Sequence, residues 1–216
     1  MASEHDIEWS SSWIGNHQLL TLSFARGLTA AEVFQAYGCD PGQTEERTFE
    51  QVSQPPATAL RVRKPLTDRQ RRLLQMSGSD PRKYEPDQVL RHDQVRVGIY
   101  ESWVYAVEAT SVRGSDFAIL SALAAQDEAF SFCFTPKIDT FLYAEHGTLR
   151  TGFDLTVLHT RWGSEPRRFD DAITAAGFRD PNEDRAKAAA RFLQIVFDLT
   201  ITQDMLEQVL PCAALP

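Results

Sequence analysis

The alternation of apolar and polar positions predicts an ordered run of strands and capped helices. Across residues 17–25, Leu20, Leu22 and Phe24 alternate with Leu19, Thr21 and Ser23, the two-residue period of a strand with one strongly apolar face. Arg26-Gly27-Leu28 turns out of it. Thr29 with Glu32 three residues on is a capping box, in which the hydroxyl takes a free helix N–H and the carboxylate reaches back. A helix over 30–37 then turns Val33, Phe34 and Tyr37 inward, and Gly38 supplies its stop. Loop signals dominate residues 39–56, with a short strand or turn at 49–52. A strand over 57–64, a short helix over 68–76 capped by Thr67, and a loop over 77–93 follow.

The stretch 97–163 holds half of the chain's aromatic residues, enough to fill much of a core. Strands are expected over 94–100 and over 102–108, the latter with Trp103, Tyr105 and Val107 on one face. Ser115 is placed to cap a helix over 116–125 with Phe117, Ile119, Leu120 and Leu123 apolar. Phe130, Phe132 and Phe134 alternate with small residues as a half-buried strand. Strands over 139–144 and 148–155 flank Glu145-His146-Gly147, which fits a tight hairpin with Gly147 at positive φ. Beyond this the chain reads as helical. One helix starts at Ser164 and ends at Gly177. A second starts at 180–183 with Pro181 in its first turn and runs through Leu199. A last short one is capped by Thr202, with Met205, Leu206 and Val209 inward.

The fold class expected from this pattern is α+β: an antiparallel-rich sheet, helices packed on one side and a helical C-terminal cap. It forms a single domain over 1–216 with a basic, loop-rich insert at 57–94. A strand–link–capped-helix order occurs at 18–37 and again at 103–124; a duplicated unit would leave this pattern, but the copies share little identity and chance recurrence in an α+β chain carries more weight.

Composition narrows the classes. Apolar residues are 43% and charged residues 24%, enough to bury a core without staples. Cys39, Cys133 and Cys212 are odd in number and far apart, so reduced thiols and a cytoplasmic location are expected. The start of the chain is too polar for a signal peptide, and no apolar run is long enough to span a bilayer. The net charge is -8, yet residues 61–96 contain ten Lys or Arg and five Asp or Glu, leaving about -13 on the remainder.

The pieces 20–38, 102–108, 141–153 and 161–166, with the Ala-rich helix and 199–202, resemble an actinobacterial family classed as a domain of unknown function. The resemblance covers most of the chain except the basic insert. It implies a cytoplasmic accessory protein and transfers no activity and no catalytic residue.

P-loop, GxGxxG, HExxH and GxSxG signatures are all missing, so no cofactor and no metal are expected. Site residues that converge from distant segments would leave no such motif. The ligand-binding candidates are Glu108, Tyr143, His159, Arg161 and Trp162. Imidazole, guanidinium and indole at a strand end suit an anion or an aromatic ligand. The architectural alternative, which carries more weight, makes Trp162 a core lid and pairs Arg161 with a carboxylate. Glu108 is a general-base candidate. A lone buried carboxylate is costly, so bonding to the next turn's backbone or to Arg113 is favoured. The Phe130, Phe132, Phe134 row has no basic residues between its rings and reads as core, not as a base-stacking platform.

Arg69, Arg71, Arg72, Arg82 and Lys83 are the candidates for a partner or nucleic-acid surface. The five acids in the insert favour a solvated segment over nucleic acid. The functional expectation is a non-enzymatic protein-binding protein, immunity-like or accessory, with a protein partner and no membrane. An enzyme or small-ligand binder with a pocket near Glu108, Tyr143, His159 and Trp162 comes second. Nucleic-acid binding through the insert comes third.

Overall fold

The computed structural model describes residues 19–53, 61–63, 87–89, 93–180 and 182–216. The chain divides into two compact units, Met1–Ser53 with Asp93–Pro216, and Gln54–His92. In the second unit, strands β3 (Arg61–Arg63) and β4 (Asp87–Val89) pair antiparallel, the latter where a loop is predicted. The helix predicted over 68–76 lies outside the described residues, as do residues 1–18.

The first unit is a nine-stranded antiparallel sheet with helices, an α+β architecture. Its strands in chain order are β1 (Leu20–Ala25), β2 (Glu45–Arg47), β5 (Gln94–Tyr100), β6 (Trp103–Glu108), β7 (Glu128–Phe134), β8 (Thr140–Glu145), β9 (Thr148–Asp154), β10 (Arg161–Trp162) and β11 (Leu210–Ala214). They lie in the order β10-β9-β8-β7-β1-β6-β5-β11-β2, so β1 is central. The helices are α1 (Ala30–Ala36), α2 (Phe49–Ser53), α3 (Phe117–Leu123), α4 (Asp170–Ala176), α5 (Arg185–Phe197) and α6 (Gln203–Glu207).

Alternation sorts the sheet into two apolar faces. On one, Val107, Leu22, Phe132, Phe141 and Phe153 stand opposite one another across five adjacent strands, and Tyr105, Phe24, Phe130 and Tyr143 form a second row beside them. Strand register puts an arginine at each end of the first row, Arg96 beside Val107 and Arg161 beside Phe153. Helices α4, α5 and α6 cover this face: Phe197 stacks on Phe130 at 4.1 Å and Phe192 meets Phe141 edge-on at 5.0 Å. Each such buried ring contributes about 2–3 kcal/mol. The other face carries Val95, Val97, Val104 and Ala106 under α1 and α3. The helices are therefore spread more widely than the pattern predicts, and both faces are covered. That is why β7 is buried along nearly its whole length instead of on alternate residues.

Local chemistry explains the boundaries. The capping box of Thr29 and Glu32 is formed as expected. His146 and Gly147 both take positive φ (44° and 70°), the conformation of a two-residue hairpin turn whose twist matches the strands. Residues 49–53 are helical instead of strand or turn. Asp116, not Ser115, caps α3, because Ser115 sits in a 3-10 turn (Arg113–Ser115), and Phe117 is half exposed. Helix α4 begins at Asp170, six residues after Ser164, and α5 is capped by Asp184 instead of starting at 180–183. Val209 is exposed, and β11 was not foreseen.

Tyr105 ties α6 to the sheet. Its hydroxyl donates to the Met205 carbonyl at 2.5 Å and accepts from Gln208 Nε2 at 2.8 Å. Burial pushes the phenol up to about 12. A folded-state value above the unfolded one of about 10 means that this stabilisation is complete below pH ~10 and is lost as pH rises through 12. Tyr105→Phe should cost about 1 kcal/mol at neutral pH. It should also flatten the loss of stability between pH 10 and 12, as read from urea midpoints across that range. A wild-type and variant pair that fall in parallel would contradict this assignment.

Candidate functional site

The end of β1, the start of β7, the middle of β8 and the C-terminus of α5 meet around a cleft of about 380 Å³. It is lined by Arg26, Glu128, Tyr143, Arg168, Phe169, Ile195, Val196, Phe197 and Asp198. Register builds its floor: Phe130 opposite Tyr143 places the phenol in the aromatic row, against Phe169 at 5.2 Å and Phe197 at 5.8 Å. Helix α5 ends here with Asp198 in the left-handed region (φ 52°).

The Tyr143 hydroxyl lies 2.6 Å from Glu145 Oε1 and 2.9 Å from Glu128 Oε2, so one proton serves two carboxylates. Burial, then these two bonds, raise the phenol far above its ordinary value. Glu145 is held below the usual carboxylate range by that hydrogen bond, with Arg168 and Arg150 beside it. Arg26 Nη1 donates to Glu128 Oε1 at 2.7 Å while its guanidinium lies 4.2 Å over the Trp103 ring. Arg168 donates to Glu145 at 2.6 and 3.1 Å and stacks 4.9 Å over Tyr143. The floor is thus a chain of charges that neutralise one another, set on aromatic rings. On the rim, Ile195 is 50% exposed.

Of the five ligand-binding candidates, Tyr143 alone lines this cleft. Glu108 is fully buried on the opposite face. Its Oε1 accepts from Gly114 N at 2.7 Å and from Tyr37 OH at 3.0 Å, and its Oε2 from Arg113 N at 3.0 Å. The carboxylate therefore holds the backbone of the next turn, and burial raises its pKa. A Cβ on Gly114 would overlap Ser23 Oγ and the Tyr37 hydroxyl, so this packing requires glycine. Arg161 and Trp162 sit on the edge strand β10 with side chains to opposite faces. Arg161 pairs with Asp170 at 3.0 Å, whereas Trp162 rests beside Gly152 and Leu142 and is 39% exposed, so it is not a buried lid. His159 is exposed in the loop before β10. A shared pocket of Glu108, Tyr143, His159 and Trp162 is therefore not assembled. Arg69, Arg71, Arg72, Arg82 and Lys83 lie outside the described residues.

Arg26, Glu128, Arg168 and Asp198 carry no motif; strand register and the packing of α5 bring them together. Among the described residues, no group of His, Cys, Asp or Glu is arranged to hold a metal ion, and no helix is long and apolar enough to cross a membrane. The family model described as "Family of unknown function (DUF6461)" matches residues 1–201, a span that includes the insert. No curated protein and no solved structure matches the chain.

Proposed function

We propose that this chain, which belongs to that family of unknown function, is a protein-binding module that recognises a basic partner and seats one of its apolar side chains in the cleft beside Tyr143. The cleft itself is the observation that carries this reading. Arg26 is already paired with Glu128 and Arg168 with Glu145, so an incoming group need not neutralise these four, while the exposed Asp198 offers a negative charge and Phe169, Val196, Phe197 and the half-exposed Ile195 offer apolar contact. A floor of paired charges with apolar side chains beside it suits a partner that brings an apolar side chain flanked by polar ones.

Charge selects the partner. Residues 54–92 carry nine Lys or Arg and four Asp or Glu, so the rest of the chain holds about -13 of the net -8. Such a field draws in a basic surface and repels acidic ones. An accessory or immunity-like protein works in this way. The three unpaired, buried cysteines suit a reducing compartment such as the cytoplasm.

Selection of peptides from a random displayed library on the whole protein tests this. Enriched peptides should hold one apolar residue flanked by Lys or Arg, weaken with added salt, and bind Ile195→Ser at least about tenfold less tightly. Enrichment of peptides without basic residues, or undiminished binding to the variant, would overturn it. A small apolar ligand is the second reading, supported by the cleft's volume, which falls in the range of ligand pockets.

A further inference from the structure

We infer that Asp198 and the C-terminal end of α5 form a cation seat on the rim of the cleft, which a lysine or arginine side chain of the partner fills next to its apolar anchor. This rests on the reading of the cleft given above and adds the position and the chemistry of the basic contact.

The seat is a negative charge in an unfavourable place. Helix α5 runs for 13 residues, and its negative dipole end falls at the cleft. Basic side chains favour the last turn of a helix, but α5 has none there. The helix stops instead on Asp198, at φ 52° and ψ 35°, a left-handed position that glycine or asparagine usually fills. A carboxylate is thus added where the helix already ends negative. Folding gives no return for it. Asp198 is exposed, and among the described residues its side chain has no hydrogen bond and no ion pair.

The second observation is what surrounds this carboxylate. Ile195, Val196 and Phe197 precede it and line the same cleft. The carbonyls of Leu193 and Gln194 accept from the Asp198 N–H, whereas those of Ile195, Val196 and Phe197 receive no donor among the described residues. Acceptors with capacity to spare therefore gather at one end of an apolar wall. The cleft's own arginines are committed elsewhere, Arg26 to Glu128 and Arg168 to Glu145. The missing group is a cation from outside that carries an apolar stem. Lysine and arginine both fit, since the stem can lie along Ile195 while the head reaches Asp198. Their shared positive charge also matches the acidic field of the chain.

Amide NMR titration of the whole protein with acetyl-Leu-Lys-amide, acetyl-Leu-Arg-amide and acetyl-Leu-norleucine-amide tests the seat, because norleucine keeps the stem and lacks the charge. The signals of Ile195 to Leu199 should move saturably, and both charged peptides should bind about threefold more tightly than the neutral one. In Asp198→Asn that difference should vanish, which assigns it to this carboxylate and not to the overall field. The same variant should melt roughly 1–3 °C above the wild type, because the helix end is relieved. Equal binding of charged and neutral peptides, a difference that survives in Asp198→Asn, or a variant that melts lower overturns the seat. A neutral peptide that binds and is weakened by Ile195→Ser then leaves the apolar cleft standing without it. Charged peptides that depend on Asp198 but not on Ile195 support the seat and remove the apolar anchor. Binding of none of the three overturns both.

Discussion

Arg96→Ala is expected to lower the unfolding free energy by about 3–5 kcal/mol, the largest single loss that this structure predicts. Arg96 is fully buried on β5, yet its recorded partners are backbone carbonyls: Nε donates to Arg47 O at 3.2 Å, Nη1 to Leu206 O at 3.0 Å and Nη2 to Gln208 O. Two of these carbonyls belong to the C-terminal end of α6, where unpaired C=O groups and the helix dipole favour a cation. One side chain thus joins β2, β5 and α6. Removing it leaves the buried Leu206 carbonyl and the part-buried Arg47 and Gln208 carbonyls without their donor, and opens a void beside Phe49, whose ring lies 5.8 Å from the guanidinium. In a chain of this length the melting temperature should fall by roughly 10 °C. Arg96→Lys separates charge from geometry: a single ammonium cannot reach all three carbonyls and should recover less than half of the loss. Chemical denaturation of the three proteins reads the series, and a loss under about 1 kcal/mol in the alanine variant would show that water or another group satisfies the carbonyls.

The second large effect belongs to Glu108→Ala. Three donors converge on this carboxylate, and truncation leaves Arg113 N, Gly114 N and the Tyr37 hydroxyl without it, at a cost of about 3 kcal/mol. Ser23 Oγ, 3.2 Å from the Tyr37 hydroxyl, is placed to recover part of one bond. Glu108→Gln adds a test of sign. Burial raises the acid's pKa in the folded state, so its contribution is fully present below the ordinary carboxyl value and falls as pH rises through the raised one. The wild type's advantage over the glutamine variant should therefore shrink as pH is raised above ~4.5. Unfolding midpoints at several pH values measure it, and an advantage that grows with pH would contradict the assignment.

Elements whose signal is local were legible in the sequence. The strands β1, β6 and β7 announced themselves by alternation, and Thr29 with Glu32 marked a helix start because both partners lie within one turn. Helix α2 was missed although its signal was present: Thr48 and Gln51 bond each other's backbone in a capping box with glutamine in place of glutamate. Strand β11 was hidden by Pro211, which argues against a strand yet is tolerated here. The cleft was not legible. Arg26 and Glu128 are about a hundred residues apart, and their meeting depends on β1 lying beside β7, which no local periodicity encodes. The inward turn of Arg96 was equally hidden, since an arginine in a basic stretch reads as solvated until the partner carbonyls of α6 are in place.

A sheet of nine strands leaves two unpaired rims, where backbone groups can recruit a foreign strand and start fibre growth. Here the outermost strands among the described residues, β10 and β2, have two and three residues. Glu45 and Arg47 put charge along one rim, and Gly163 bends the chain away just past the other, at φ 94°. So short a ladder gives a second copy little to zip onto, and the protein can carry a broad sheet without seeding its own polymerisation.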